Sequence, residues 1–273
     1  MSTMNDPFPA PDVPSYFRTQ PEILDDRTPT ALRTPTAREA VADDTIPFRP
    51  VVRPQMAVLV VLDDGRTEGQ TIRLRTDSFT IGRTEGDLTI PHDGMISRKH
   101  VTIHRRADKG RLRWVLEDLG SQNGTFVRVS DAVLAHGQVI LLGSRRYEFN
   151  AAPRAVAASG AGPVAADGTQ GWRAVSPTDL IPSFTEVRPN GSRGEPMFLA
   201  DGEMTIGRGP GCEIMLEDLM VSPRHARLYK DDRGNWVIEN QNSLNGTWVR
   251  VDTLTFERPG QFLIGEQRFT LRV

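Results

Sequence analysis

The sequence predicts an all-β protein made of two copies of one module, with unstructured chain before and between them. Three observations carry this. From Met56 onward, apolar residues come in short runs closed by turn residues: AVLVVL, QTIRLR, SFTIGR, HVTIHR, LRWVLEDL, GTFVRV, QVILLG and YEFN, and later FTEVRP, MFLAD, EMTIGR, HARLYK, NWVIEN, GTWVRV, QFLIG and RFTLRV. Marked residues recur at a fixed offset along the chain. Two stretches lack apolar periodicity and are rich in Pro, Ala, Gly or Thr.

Taken in order, residues 1–55 are expected to be a disordered Pro/Thr-rich tail, because they cannot bury enough apolar surface to offset the entropy of ordering. Residues 56–150 form the first module. Residues 151–182 (AAPRAVAASGAGPVAADGTQGWRAVSPTDLIP) are expected to be a flexible linker with a root-mean-square span of roughly 30 Å, and Trp172 is its one candidate docking point. Residues 183–273 form the second module. A chain of 273 residues has room for two such modules plus linkers.

Composition narrows the function. The formal net charge of −2 gives no whole-molecule case for nucleic acid or an anionic membrane surface. The single cysteine, Cys212, excludes an internal disulfide framework and suits a reducing compartment. The first residues have neither a basic n-region nor an apolar h-region, and no apolar run nears the ~20 residues of a membrane span, so the expectation is a cytoplasmic chain without membrane insertion. Thirty arginines against three lysines hint at a GC-rich bacterial genome.

The repeat selects the candidate residues. Gly82-Arg83 answers Gly207-Arg208, Ser97 answers Ser222, and His100 answers His225, each at an offset of 125 residues. Asn123-Gly124-Thr125 answers Asn245-Gly246-Thr247 at an offset of 122. The difference of three falls in a hairpin, where HVTIHRRADKGRLRW shortens to HARLYKDDRGNW, and sheets tolerate length changes at such ends. Taken singly, each feature has a plain structural meaning. Asn-Gly is a type I′ hairpin signal, Gly82 and Gly207 can supply positive φ, a lone arginine is usually a solvated cation, and Ser-x-x-His can knit a loop. Together they place a guanidinium, a hydroxyl and an amide on three loops of one small β structure. All three are donors suited to holding an anion, and none is a general base, a carboxylate pair or a metal cluster. GRTEGD and GRGPGC are glycine-rich but lack the Gly-Lys-Ser/Thr of a phosphate loop, and Ser97 with His100 has no third group for a hydrolytic triad. No enzyme, cofactor or metal is expected.

TIGR, ISRKH and LGSQNGTFV in the first module, and TIGR, VSPRH and NSLNGTWV in the second, resemble forkhead-associated (FHA) domains. The resemblance covers about two thirds of the chain. It implies two β-sandwich domains joined by the flexible linker, each binding phosphothreonine in an extended peptide through loops at one end. It assigns phosphate contact to Arg83 and Ser97, and to Arg208 and Ser222. It assigns peptide-backbone contact to Asn123 and Asn245, further polar contacts to Arg98 and Gln122, and loop support to His100 and His225 alongside Gly82, Gly124, Gly207 and Gly246. The second module departs from the pattern, with Pro223 where the first has Arg98 and Leu244 where the first has Gln122. Its pocket therefore has fewer donors, and the first module is expected to be the stronger reader.

The resemblance implies a signalling adaptor whose partners are phosphothreonine proteins and a serine/threonine kinase, with a phosphate-independent scaffold as the alternative. It also gives a meaning to RTPTALRTPTAR in the tail. Thr28, Thr30, Thr34 and Thr36 are candidate phosphosites, as is Thr45 in VADDTIPFR, where Phe48 stands three positions later. Recognition of the protein's own phosphorylated tail follows as a further expectation.

Overall fold

The computed structural model describes residues 18–19, 56–62, 69–108, 110–152 and 180–273. Candidate phosphosites Thr28, Thr30, Thr34, Thr36 and Thr45, most of the linker and Trp172 lie outside these residues. The secondary structure described is almost entirely β, as expected. β1 (Arg18–Thr19) precedes the first copy, which supplies β2 (Val58–Leu62), β3 (Gly69–Arg73), β4 (Ser78–Gly82), β5 (Leu88–Thr89), β6 (Val101–Asp108), β7 (Arg111–Asp118), β8 (Thr125–Val133), β9 (Gln138–Leu142) and β10 (Arg145–Asn150). The second copy supplies β11 (Ser183–Val187), β12 (Arg193–Phe198), β13 (Met204–Gly207), β14 (Ile214–Met215), β15 (Ala226–Lys230), β16 (Trp236–Asn240), β17 (Thr247–Val251), β18 (Thr253–Phe256), β19 (Gly260–Ile264) and β20 (Gln267–Arg272).

The strands build two sandwiches, and each contains strands from both copies. In the first, a sheet of β3, β2, β20, β19 and the start of β8 faces a sheet ordered β18-β7-β6-β4-β5. Its core joins Leu59, Ile81, Ile103 and Leu116 to Phe262, Ile264, Phe269 and Leu271. In the second, β12, β11, β10, β9 and the start of β17 face the end of β8, β16, β15, β13 and β14. There Ile140, Leu142 and Phe149 pack with Phe184, Ile206, Leu228 and Ile238. Phe149 and Phe184, one from each copy, have ring centroids 5.6 Å apart.

This pairing differs from the expected division into residues 56–150 and 183–273. The two copies exchange the strands that follow their Asn-Gly-Thr loops, and the local sequence explains why. A module closed on itself needs a tight turn a few residues after Thr125 or Thr247, but TFVRVSDAVL and TWVRVDTLTF contain no Gly, Pro or Asn to make one. The chain therefore runs on without turning back. β8 passes from one sandwich to the other as a single nine-residue strand, and β17 continues into β18 with only Asp252 between them.

The two ends of the linker are neighbours, since Asn150 pairs with Ser183 in the β10–β11 ladder. Within the tail expected to be unstructured, Arg18–Thr19 form β1, which pairs antiparallel with Val129 and Asp131 of β8. β19 pairs with β8 only through Val127, and a strand edge left open beyond that point accepts another strand.

Candidate phosphopeptide-binding sites

Each strand ladder ends in loops that carry the repeated residues, and each site is assembled from the loops of one copy. At the first site the chain leaves β4 at Gly82 and enters Arg83, whose N–H donates to Ser97 O at 2.9 Å. Gly82 is required by close approach, because a Cβ there would stand 2.2 Å from Arg98 O and 2.4 Å from Glu85 O. This overturns the positive-φ reading, since neither Gly82 nor Gly207 has positive φ. Gly207 repeats the approach, at 2.2 Å from Pro223 O.

The loop carrying Ser97 is knitted from below by His100, which is fully buried. Ser97 N donates to His100 Nδ1 at 3.0 Å, so the imidazole proton is on Nε2, which points at Gly124 O at 3.3 Å. His225 repeats this, accepting from Ser222 N at 3.1 Å and facing Gly246 O at 3.0 Å. Burial holds both imidazoles below their ordinary value, and the neutral tautomer is the one this bonding uses. Ser97 Oγ accepts from Gln122 N at 3.1 Å, and Ser222 Oγ accepts from Leu244 N at 3.1 Å. Each hydroxyl thus has one lone pair engaged and its hydrogen available for an incoming acceptor.

Asn-Gly is not a two-residue hairpin turn here. Type I′ needs positive φ at both central residues, yet Gly124 has φ 79° and Asn123 is not positive. Asn123 Nδ2 donates to Met95 O at 2.8 Å, fastening this loop to the one before Ser97, and Asn245 does the same to Met220 O at 2.8 Å.

The guanidinium groups complete the arrangement. Among the described residues, neither Arg83 nor Arg208 forms an ion pair, whereas Arg98 Nε pairs with Glu85 Oε1 at 3.2 Å. Arg98 and Gln122 are exposed at the rim of the first site. The second site differs in texture. Pro223 is exposed, and Leu219, Met220 and Leu244 surround Asn245 with relative exposures of 92 %, 56 % and 84 %.

Sequence reasoning missed the carboxylates that hold these loops. Asp93, from the first copy, accepts from Met95 N at 2.8 Å and from Glu266 N, in the second copy's β19–β20 turn, at 2.7 Å. Its counterpart Asp218 accepts from Met220 N and Ser144 N, both at 2.8 Å. Burial acts to raise the Asp218 carboxyl, but the Ser144 and Met220 N–H donors outweigh it and hold the group below its ordinary value. The pair was visible in the sequence, since Asp93 and Asp218 stand at the same offset of 125 as the serines. Asp118 ties the first Asn-Gly loop by accepting from Ser121 N at 2.7 Å and from Ser121 Oγ and Thr125 Oγ1, both at 2.6 Å. The second copy has Asn240 there, and among the described residues its Nδ2 is buried without a partner.

Among the described residues, no group of three or more His, Cys, Asp or Glu is placed to hold a metal ion, and no helix is long and apolar enough to cross a membrane. The arrangement is a set of fixed donors around two solvent-facing loop clusters.

Comparisons with known proteins point to one family. The family model of the FHA domain matches residues 79–143 and 204–258. The glycogen accumulation regulator GarA of Mycolicibacterium smegmatis is 36 % identical over 110 residues, which are 38 % of this chain and 68 % of that protein. The E3 ubiquitin-protein ligase RNF8 of Bos taurus is 37 % identical over 73 residues, 25 % of this chain but only 15 % of the ligase. Among solved structures, the FHA domain of CT664 from Chlamydia trachomatis is 28 % identical, with 27 % of this chain and 70 % of that one covered at a TM-score of 0.22. FHA domains are binding modules, and the matches to both copies, with the GarA relationship, establish that this chain belongs to the FHA-domain family.

Proposed function

We propose that this chain is a non-catalytic phosphothreonine reader that acts as a signalling adaptor beside a serine/threonine kinase, with the first site as the principal reader. One observation carries the reading. Among the described residues Arg83 has no carboxylate in ion-pair range, and its own N–H is bonded to Ser97 O, which sets a guanidinium fork beside the loop that presents the Ser97 hydroxyl. A phosphate brings about −1.5 to −2 charge and three acceptor oxygens to such donors. Arg98 and Gln122 add rim donors, and Asn123 offers its remaining amide hydrogen to a peptide backbone. No group in either site is placed for bond breaking, and neither nucleic acid nor a membrane is called for. A cytoplasmic location fits a kinase as writer.

The test is a degenerate phosphothreonine peptide library offered to the full chain, beside the same library with phosphoserine or unmodified threonine. Retention of the phosphothreonine library alone, lost in Arg83→Ala, is the expected result. Equal retention of all three libraries would contradict it.

The second site supports a different reading. With Leu219, Met220 and Leu244 exposed around Asn245, and Pro223 in place of a donor, it suits apolar contact with a partner protein more than tight phosphate binding. The tail is the nearest candidate ligand for either site. β1 pairs with Val129, and Val129 pairs with Thr247, two residues from Asn245. Thr28 is nine residues from Thr19 and can extend about 30 Å from it, so phosphorylated Thr28 to Thr36 fall within reach of the second site as intramolecular ligands.

A further inference from the structure

The strand exchange creates a face that neither copy has alone. On the outer side of the sheet β10-β9-β17-β8-β19-β20, opposite the cores, one row of paired residues runs Arg146, Leu141, Trp248, Arg128. Its copy, 122 residues on, crosses the same face in the opposite direction and contributes Arg268, Phe126 and Arg250. Four guanidiniums thus frame two aromatic side chains that are nearly fully buried.

Among the described residues, none of the four arginines has a carboxylate in ion-pair range. Arg128 Nη1 donates to Gln261 Oε1 at 3.0 Å and Arg146 Nη1 to Asn123 Oδ1 at 3.3 Å, so the acceptors are neutral amides. Arg146 also lies 5.6 Å from the centroid of Phe126. Among the described residues, Arg128 Nε is buried without a partner. Burial first, then Arg268, lowers the Arg128 guanidinium from its ordinary value, and burial first, then Arg250, does the same to Arg146. Partly buried cations beside like charges are costly unless an anion meets them.

The chain carries such an anion next to the face. β1 runs antiparallel along β8 from Asp131 to Val129, so it heads toward Arg128, and β19 takes the edge of β8 from Val127 onward. A continuing strand has no place there. The next residues are Gln-Pro-Glu-Ile-Leu-Asp-Asp, in which Pro21 cannot extend a ladder. We infer that residues 20–26 dock on this outer face, with Glu22, Asp25 and Asp26 meeting the four arginines.

Reach permits it. Asp26 is seven residues beyond Thr19, an extended span of about 25 Å. The six strands of the face are together about 24 Å across at ~4.8 Å per spacing, with β8 near the middle. Three carboxylates against four guanidiniums leave the docked face close to neutral.

The test uses the full, unphosphorylated chain, so it does not depend on phosphothreonine recognition. Hydrogen exchange of residues 20–26 and the arginine Nε–Hε NMR signals are followed in low salt, in 1 M salt, where the Debye length falls to about 3 Å, and in the triple variant Glu22→Gln, Asp25→Asn, Asp26→Asn. This variant changes no residue of either core. Docking predicts at least tenfold protection of residues 22–26 in low salt, lost in 1 M salt and in the triple variant, with the Arg128 and Arg268 signals moving in step. Exchange of residues 20–26 at the rate of unstructured chain in low salt would overturn the inference. So would arginine signals that ignore the triple variant, or protection that grows with protein concentration, which would assign the segment to a neighbouring copy.

Discussion

Val127 and Val249 stand opposite one another across the β8–β17 ladder, yet each is buried in a different core. They are the same position of the repeat, 122 residues apart, so the ladder has a near-twofold axis between them and the two copies cross there. Each site is therefore held by its own loops but rests on turns supplied by the other copy, as Asp93 with Glu266 and Asp218 with Ser144 show.

The first prediction concerns this crossing. Cleaving the chain within residues 153–179 leaves two fragments that share both cores. They are expected to co-elute on size exclusion as one native-sized particle and to separate only in denaturant. Independent migration of the fragments under native conditions would mean that each copy closes on itself.

The buried imidazoles predict a pH dependence. The folded state lowers the pKa of His100 and His225 below the ordinary 6.5, so the unfolded chain binds more protons below that pH. Their contribution to stability is complete above the unfolded value and is lost as pH falls below it toward the folded one. Melting temperature of the unligated chain is expected to be level above about pH 7 and to decline toward pH 5. A His100→Gln, His225→Gln double variant is expected to melt lower but with a flatter slope in this window.

Gly82 supplies a local test of the first loop. Gly82→Ala places a methyl against Arg98 O and Glu85 O and displaces the loop that presents Ser97. Phosphothreonine peptide affinity is expected to fall at least about tenfold, which corresponds to ~1.4 kcal/mol. Gly94→Ala, in the same loop region with nothing within 4 Å of the added carbon and no positive φ, is the control and is expected to bind as the parent does.

The proposed weakness of the second site can be tested by restoring its donors. In an Arg83→Ala background, which silences the first site, Pro223→Arg with Leu244→Gln is expected to raise phosphopeptide affinity by about tenfold or more, since hydrogen bonds to a charged group contribute ~1.5–3 kcal/mol each. An unchanged affinity would place the difference between the sites elsewhere.

Much of the fold and the site was legible in the sequence, because periodicity and spacing are local. Strands such as AVLVVL and HARLYK, the paired Gly-Arg, Ser-x-x-His and Asn-Gly-Thr residues, and the shortened hairpin before Trp236 all lie where the pattern put them. The exchange of strands was not legible. TFVRV and TWVRV present nearly the same edge to either partner, so periodicity cannot say which copy a strand joins. Only the missing turn residues after Val129 and Val251 carried a signal. The short β5 and β14 were missed because two-residue parallel bridges have no period to read. Asp118 was missed because a carboxylate facing its own loop looks, in sequence, like any solvated one.

The most direct test is a titration of the full chain with a fluorescent peptide spanning Val41 to Arg53, phosphorylated or not at Thr45, repeated with Arg83→Ala and with Arg208→Ala. The account predicts a dissociation constant of order 1 μM, ~8 kcal/mol, only for the phosphorylated peptide, with loss of about a hundredfold in Arg83→Ala and little change in Arg208→Ala. Binding of equal strength without the phosphate, or binding untouched by Arg83→Ala, would contradict it.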